Sequence, residues 1–123
     1  MDEYLKALKP VPSPWLVNGQ LSASANRGKQ IFSQAGCADC HPAPLFTNLN
    51  QYDVGTGRDR EEGLGFDTPT LVEVWRTAPY LHDGRAITIK EVITKFNRDS
   101  LHGKTSNLSA QELEDLSAYV LSL

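Results

Sequence analysis

Gly36-Cys37-Ala38-Asp39-Cys40-His41 sets two cysteines three positions apart, with a histidine directly behind the second. At this spacing a haem is covalently attached. Two thioether bonds fix the porphyrin's vinyl groups, and the adjacent imidazole of His41 meets the iron from one side as a neutral nitrogen ligand. Two other chemistries use similar residues: a thioredoxin-type redox dithiol and half of a zinc site. A thioredoxin motif follows a strand in a βαβ pattern, and no such strand is legible here. Zinc would need further ligands; His82 or His102 is available, but these are the chain's only two cysteines and they form a single ligand knuckle. Covalent haem uses Cys37, Cys40 and His41 in their order, and the other two readings stand as alternatives.

The totals set the frame. A chain of 123 residues is expected to form one domain, small enough that a buried macrocycle would be a large part of its core. The formal charge is −3, and haem propionates would make it more negative. That balance offers no footing for nucleic acid or an anionic membrane, and it is compatible with a basic redox partner protein. No apolar run reaches membrane-spanning length, and the amino terminus lacks the basic and hydrophobic regions of a signal peptide.

Residues 1–21 read as an N-terminal strap or linker. A short helix with Tyr4, Leu5 and Leu8 on one side is stopped by Pro10, Pro12 and Pro14. The mono-haem domain is expected over residues 22–123. From Ala23 to Ser33 the pattern is helical, with Ala25, Gly28 and Phe32 on one stripe and Ser22 or Ser24 as cap. A glycine inside a helix costs about 1 kcal/mol against alanine, so Gly28 needs a reason. At the other end, Ser109-Ala110-Gln111-Glu112 is a capping box that starts a helix carrying Leu113, Leu116, Val120 and Leu123, with Tyr119 beside them.

Between these ends, Pro42-Ala43-Pro44-Leu45-Phe46-Thr47-Asn48 reads as a rigid loop over the proximal haem face. Asp53 to Gly65, rich in glycine and charge, reads as a surface loop. Phe66-Asp67-Thr68-Pro69-Thr70-Leu71 is expected to open a helix, with Pro69 in its first turn, Thr70 and Glu73 as a capping pair, and Leu71, Val74 and Trp75 turned inward. Thr88-Ile89-Lys90-Glu91 is a further capping box, followed by Ile89, Val92, Ile93 and Phe96 at helical spacing.

Two of these patterns carry a resemblance. Gly28 with Phe32, and Leu116 with Tyr119, resemble the crossing of first and last helices in class I cytochromes c. The Phe66–Leu71 segment, followed by Thr77-Ala78-Pro79-Tyr80-Leu81-His82-Asp83-Gly84, resembles the C-terminal haem domain of di-haem cytochrome c peroxidases and of their relatives that oxidise protein tryptophans. The likeness runs from about Ser22 to Leu123. It implies an all-α class I cytochrome c fold, with N- and C-terminal helices crossing and one covalent haem c in the core. Because such haem is attached outside the bacterial cytoplasm, it also implies a periplasmic or otherwise exported chain, its leader removed or the chain one piece of a longer protein.

The second axial ligand separates a carrier from a catalyst. In the resembled enzymes a methionine or tyrosine comes from the helix after the His-Asp-Gly loop; the matching position here is Phe96, whose ring cannot ligate iron but would line the haem. The one methionine is Met1. His102 lies in the loop just before the last helix, where class I cytochromes carry this ligand, and Gly103 allows a sharp turn beside it. His82, next to Asp83, is a second candidate, as a ligand steadied by a carboxylate or as a hydrogen-bonding residue near a propionate; an open iron is the third possibility. Arg76 and Arg85 are the candidate propionate partners, and Trp75 and Tyr80 are aromatics that would stack at the haem edge.

The expected function is one-electron transfer by a single haem c with His41 and His102 on the iron, more a carrier than an enzyme. Its partner would be a redox protein or a domain fused upstream, for which Pro10 to Pro14 suits a linker. The alternatives are a peroxidase-like or a gas-sensing haem with an open or displaceable sixth position. Against the peroxidase stand the single attachment motif, where the resembled enzymes use two haems, and the lack of a distal histidine and arginine at a workable spacing.

Overall fold

A computed structural model describes residues 1–123. In chain order the elements are α1 (Asp2–Ala7), α2 (Ala23–Gln34), α3 (Cys37–Cys40), β1 (Gln51–Tyr52), β2 (Phe66–Asp67), α4 (Ile89–Ile93) and α5 (Ala110–Leu121). Single 3₁₀ turns occur at Asp59–Glu61, Val74–Arg76 and Arg98–Ser100.

Each longer helix starts where a side chain satisfies its free N–H groups. Ser22 accepts from the Ala25 amide at 3.1 Å to open α2. Ser109 and Glu112 open α5 reciprocally, the Glu112 amide donating to Ser109 Oγ and the Ser109 amide to Glu112 Oε2. Thr88 and Glu91 repeat the device at α4.

α2 and α5 cross at a point too close for any side chain but hydrogen. A Cβ placed on Gly28 would lie 1.9 Å from the Asp115 carbonyl oxygen and 2.8 Å from Tyr119 Cβ. This contact explains the glycine. One turn on, Phe32 meets Tyr119 edge to face at 5.3 Å, and Leu116 between them is fully buried. Burying side chains of this size contributes about 1.5–3 kcal/mol each. The crossing also holds a carboxylate: Asp115, 3% exposed, accepts from Arg27 Nε at 2.6 Å and Nη2 at 2.8 Å, from Ser24 Oγ and from Gln111 Nε2.

Two expectations need correction. The chain is not all-α: β1 and β2 pair antiparallel, Gln51 opposite Asp67 and Tyr52 opposite Phe66. Strands of two residues carry no alternation to read, so only the pairing reveals them. The helix expected from Pro69 is also absent beyond the one turn at Val74–Arg76. The would-be cap is drawn to tertiary partners, Thr70 Oγ1 donating to the Leu45 carbonyl. Glu73 sits in the left-handed region at φ 62°, with its amide on the Leu123 carbonyl and its carboxylate on the Val11 amide and Arg76. Polar side chains that bond elsewhere stop a helix from propagating.

The N-terminal segment joins the core only at its end, where Leu21 packs against it. α1 buries no residue, and the segment after it is tied down by the Val11–Glu73 bond and by Ser13 Oγ donating to the Leu121 carbonyl at 2.5 Å. No helix is long and apolar enough to cross a membrane.

Candidate haem site

α2 stops because Gly36 takes a left-handed conformation at φ 79°, which a glycine adopts without a Cβ penalty. The turn delivers Cys37 and Cys40 on the single turn of α3, both half-buried free thiols. His41 follows, 8% exposed, its amide on the Cys37 carbonyl at 2.9 Å. The loop beyond folds back under the ring, so that His41 Nδ1 lies 2.8 Å from the Phe46 carbonyl oxygen. A carbonyl only accepts, so the proton resides on Nδ1 and the Nε2 lone pair is left for a metal. Burial lowers the His41 pKa, with the Phe46 and Pro69 carbonyls opposing it. Burial also pushes the Cys37 thiol up to about 11. That is the reverse of the acidic thiol that redox dithiols display. No group of three or more His, Cys, Asp or Glu side chains gathers at a spacing that would hold a metal ion by itself.

His102 lies on a loop from the other end of the chain that packs against the attachment segment. The Lys104 amide donates to the Ala35 carbonyl at 2.9 Å, and a Cβ on Gly103 would lie 3.5 Å from Cys37 Sγ. The loop carrying His102 is thus docked against the attachment cysteine. Burial, then the nearby charge of His41, lowers the His102 pKa to about 4, so the ring is neutral at pH 7. Its Nδ1 is covered and has no hydrogen-bond partner.

Residues 25–123 match the family model for cytochrome c. The chain belongs to the cytochrome c family. It is therefore a domain that binds covalent haem c, and its chemistry is that of an iron oxidoreductase protein. The cytochrome c domain is 31% identical to the hydrazine synthase subunit gamma of Kuenenia stuttgartiensis, over 98% of this chain and 47% of that one. It is 33% identical to the cytochrome-c peroxidase IdrP1 of Denitromonas iodatirespirans, over 84% of this chain and 41% of the relative. With the methylamine utilization protein MauG of Methylorubrum extorquens the figures are 28%, 84% and 35%. A solved structure of Kuenenia stuttgartiensis hydrazine synthase superposes with a TM-score of 0.84 at 32% identity, covering 98% of this chain and 52% of that one. The chain spans about half the length, or less, of these relatives.

The other residues singled out in the sequence are dispersed around this cytochrome c domain. His82 stacks its ring on Phe66, centroids 3.9 Å apart, with Nε2 3.2 Å from Glu61 Oε2. It fastens the Asp53–Gly65 loop to the loop that precedes α4, and its partner is Glu61 rather than Asp83. Arg76 pairs with Glu73 at 2.6 Å and Arg85 Nε with Asp83 at 2.6 Å. The Tyr80 hydroxyl donates to the Val74 carbonyl at 3.1 Å. Phe96 lies past the end of α4 and packs, half-buried, against the core.

Two groups escaped the sequence reading. The Trp75 indole N–H is covered and without an acceptor, a free donor that its reading as an inward or stacking aromatic does not predict. Asn97 bonds the backbone around His102, and no spacing rule marks an asparagine for that task.

Proposed function

We propose that this cytochrome c domain is a one-electron carrier with a single haem c attached through Cys37 and Cys40, and with His41 and His102 as the two axial ligands. The observation that carries the reading is that the loop bearing His102, a neutral imidazole, is docked through Gly103 against Cys37, with His102 close enough to His41 to feel its charge, while His41 keeps Nε2 free by committing Nδ1 to Phe46. Both side chains present the neutral form that binds iron. When bound, the haem iron supplies a reversible one-electron couple. The protein's part is to fix two imidazoles, exclude water around them and hold the ring edge. The unpartnered Trp75 N–H suits a propionate oxygen, since a covered donor without an acceptor is costly to leave; Arg76 and Arg85 are already engaged by Glu73 and Asp83.

One attachment motif in the chain supports a count of one haem. Thioether attachment supports a chain working outside the bacterial cytoplasm. The span of about half its relatives' length supports an electron partner that is either a separate protein or another domain of a longer chain.

The deciding experiment is the optical spectrum of the haem-loaded protein, oxidised and reduced, beside His102→Ala. The reading requires a low-spin parent in both states without a methionine-to-iron charge-transfer band, and a high-spin or ligand-binding variant. A parent that is already high-spin and binds peroxide or carbon monoxide overturns it in favour of a peroxidase-like or gas-binding site.

A further inference from the structure

We infer that Asn97 is the positioning residue for the sixth ligand: its amide brackets His102 and keeps the imidazole from swinging away from the iron. This rests on the bis-imidazole reading above. Asn97 Oδ1 accepts from the His102 amide at 2.8 Å. Its Nδ2 donates to the Gly103 carbonyl at 2.8 Å and to Thr105 Oγ1 at 2.7 Å. Thr105, 4% exposed, passes the connection on by donating to the Ile93 carbonyl at the end of α4. A primary amide has one acceptor oxygen and two N–H donors, and all three are used here.

The loop has need of such a brace. Between Asn97 and His102 the chain passes through Asp99 at φ 54° and Ser100 at φ 56°, a left-handed backbone that residues with a Cβ resist and that persists only where surrounding bonds dictate it. On one side the loop is held by the Lys104 amide on Ala35, directly before the attachment motif. On the other it is held by Asn97. Without Asn97 the His102 amide and the Gly103 carbonyl lose their partners. The turn then relaxes, and the sixth position opens to outside ligands.

Asn97→Ala and Asn97→Asp, haem-loaded, test this with carbon monoxide as the probe of the reduced protein. Asp keeps an acceptor but loses both donors, so it tests the brace even if the Ala variant does not fold. The expected result is a carbon monoxide affinity about tenfold above the parent's, the size of effect that loss of net hydrogen bonding to one loop produces. Helical circular dichroism should stay parental. A lower thermal midpoint with parental carbon monoxide affinity overturns the inference, because it assigns Asn97 to stability alone. Failure of the underlying reading looks different: His102→Ala then leaves the parental spectrum and carbon monoxide affinity unchanged, and the inference falls with it.

Discussion

Gly28 of α2 and Asp115 of α5 meet backbone to backbone, with room for a hydrogen and not for a methyl group. The obstacle is a carbonyl rather than a flexible side chain, so Gly28→Ala must push the two helices apart. Alanine would gain about 1 kcal/mol of helix propensity, yet overpacking of a rigid contact costs about 1–3 kcal/mol and sometimes more. The net should be destabilisation, read as a lower denaturant midpoint of the haem-loaded protein. A variant as stable as the parent would show that the crossing is looser than described.

Asp115 should confer acid sensitivity. Arg27 first, then Ser24 and Gln111, hold its carboxyl well below the usual carboxylate range, against the opposing effect of burial. A carboxyl whose folded pKa is depressed stabilises the fold fully above its unfolded pKa of about 3.9 and loses that contribution as pH falls below it. Asp115→Asn should therefore lose about 1.5–3 kcal/mol at pH 6, the range for hydrogen bonds to a charged group. Its stability should then fall less than the parent's between pH 5 and 3. Parallel pH curves for the two proteins would refute this.

Two imidazoles stabilise ferric iron more than an imidazole and a thioether do. The midpoint potential should accordingly lie below that of a His/Met cytochrome c of similar burial. Equilibrium redox titration decides it, and a value in the His/Met range would argue against His102 on the iron.

His82 and His102 should respond differently to the same substitution. His82→Ala removes the stack on Phe66 and the contact with Glu61, which tie down the loop containing Arg58 and Arg60. Tryptic cleavage at those arginines should speed up while the haem spectrum stays parental. A spectral change in His82→Ala would place that ring at the iron instead.

The parts legible in sequence are those with a local cause. The capping boxes at Thr88 and Ser109 form because donor and acceptor lie three residues apart, and the Gly28–Phe32 stripe is visible because one helix face repeats. The attachment motif is local in the same sense. Thr70 and Glu73 misled for the opposite reason: they have the right spacing for a cap, but Leu45, Val11 and Leu123 compete for them from distant segments. The acceptor for the His41 Nδ1 proton is a main-chain carbonyl, which any residue at position 46 would supply. Asn97 acts through a folded loop, so nothing in its neighbours marks it.

The two sides of the site differ in when the ribosome delivers them. Cys37, Cys40, His41 and the Phe46 carbonyl lie within ten residues of one another, and bonds inside that segment arrange them. The opposite side depends on Lys104 finding Ala35 across most of the chain's length. A growing chain thus offers its cysteines and one prepared imidazole while the other side is still bare, and a segment made much later closes it.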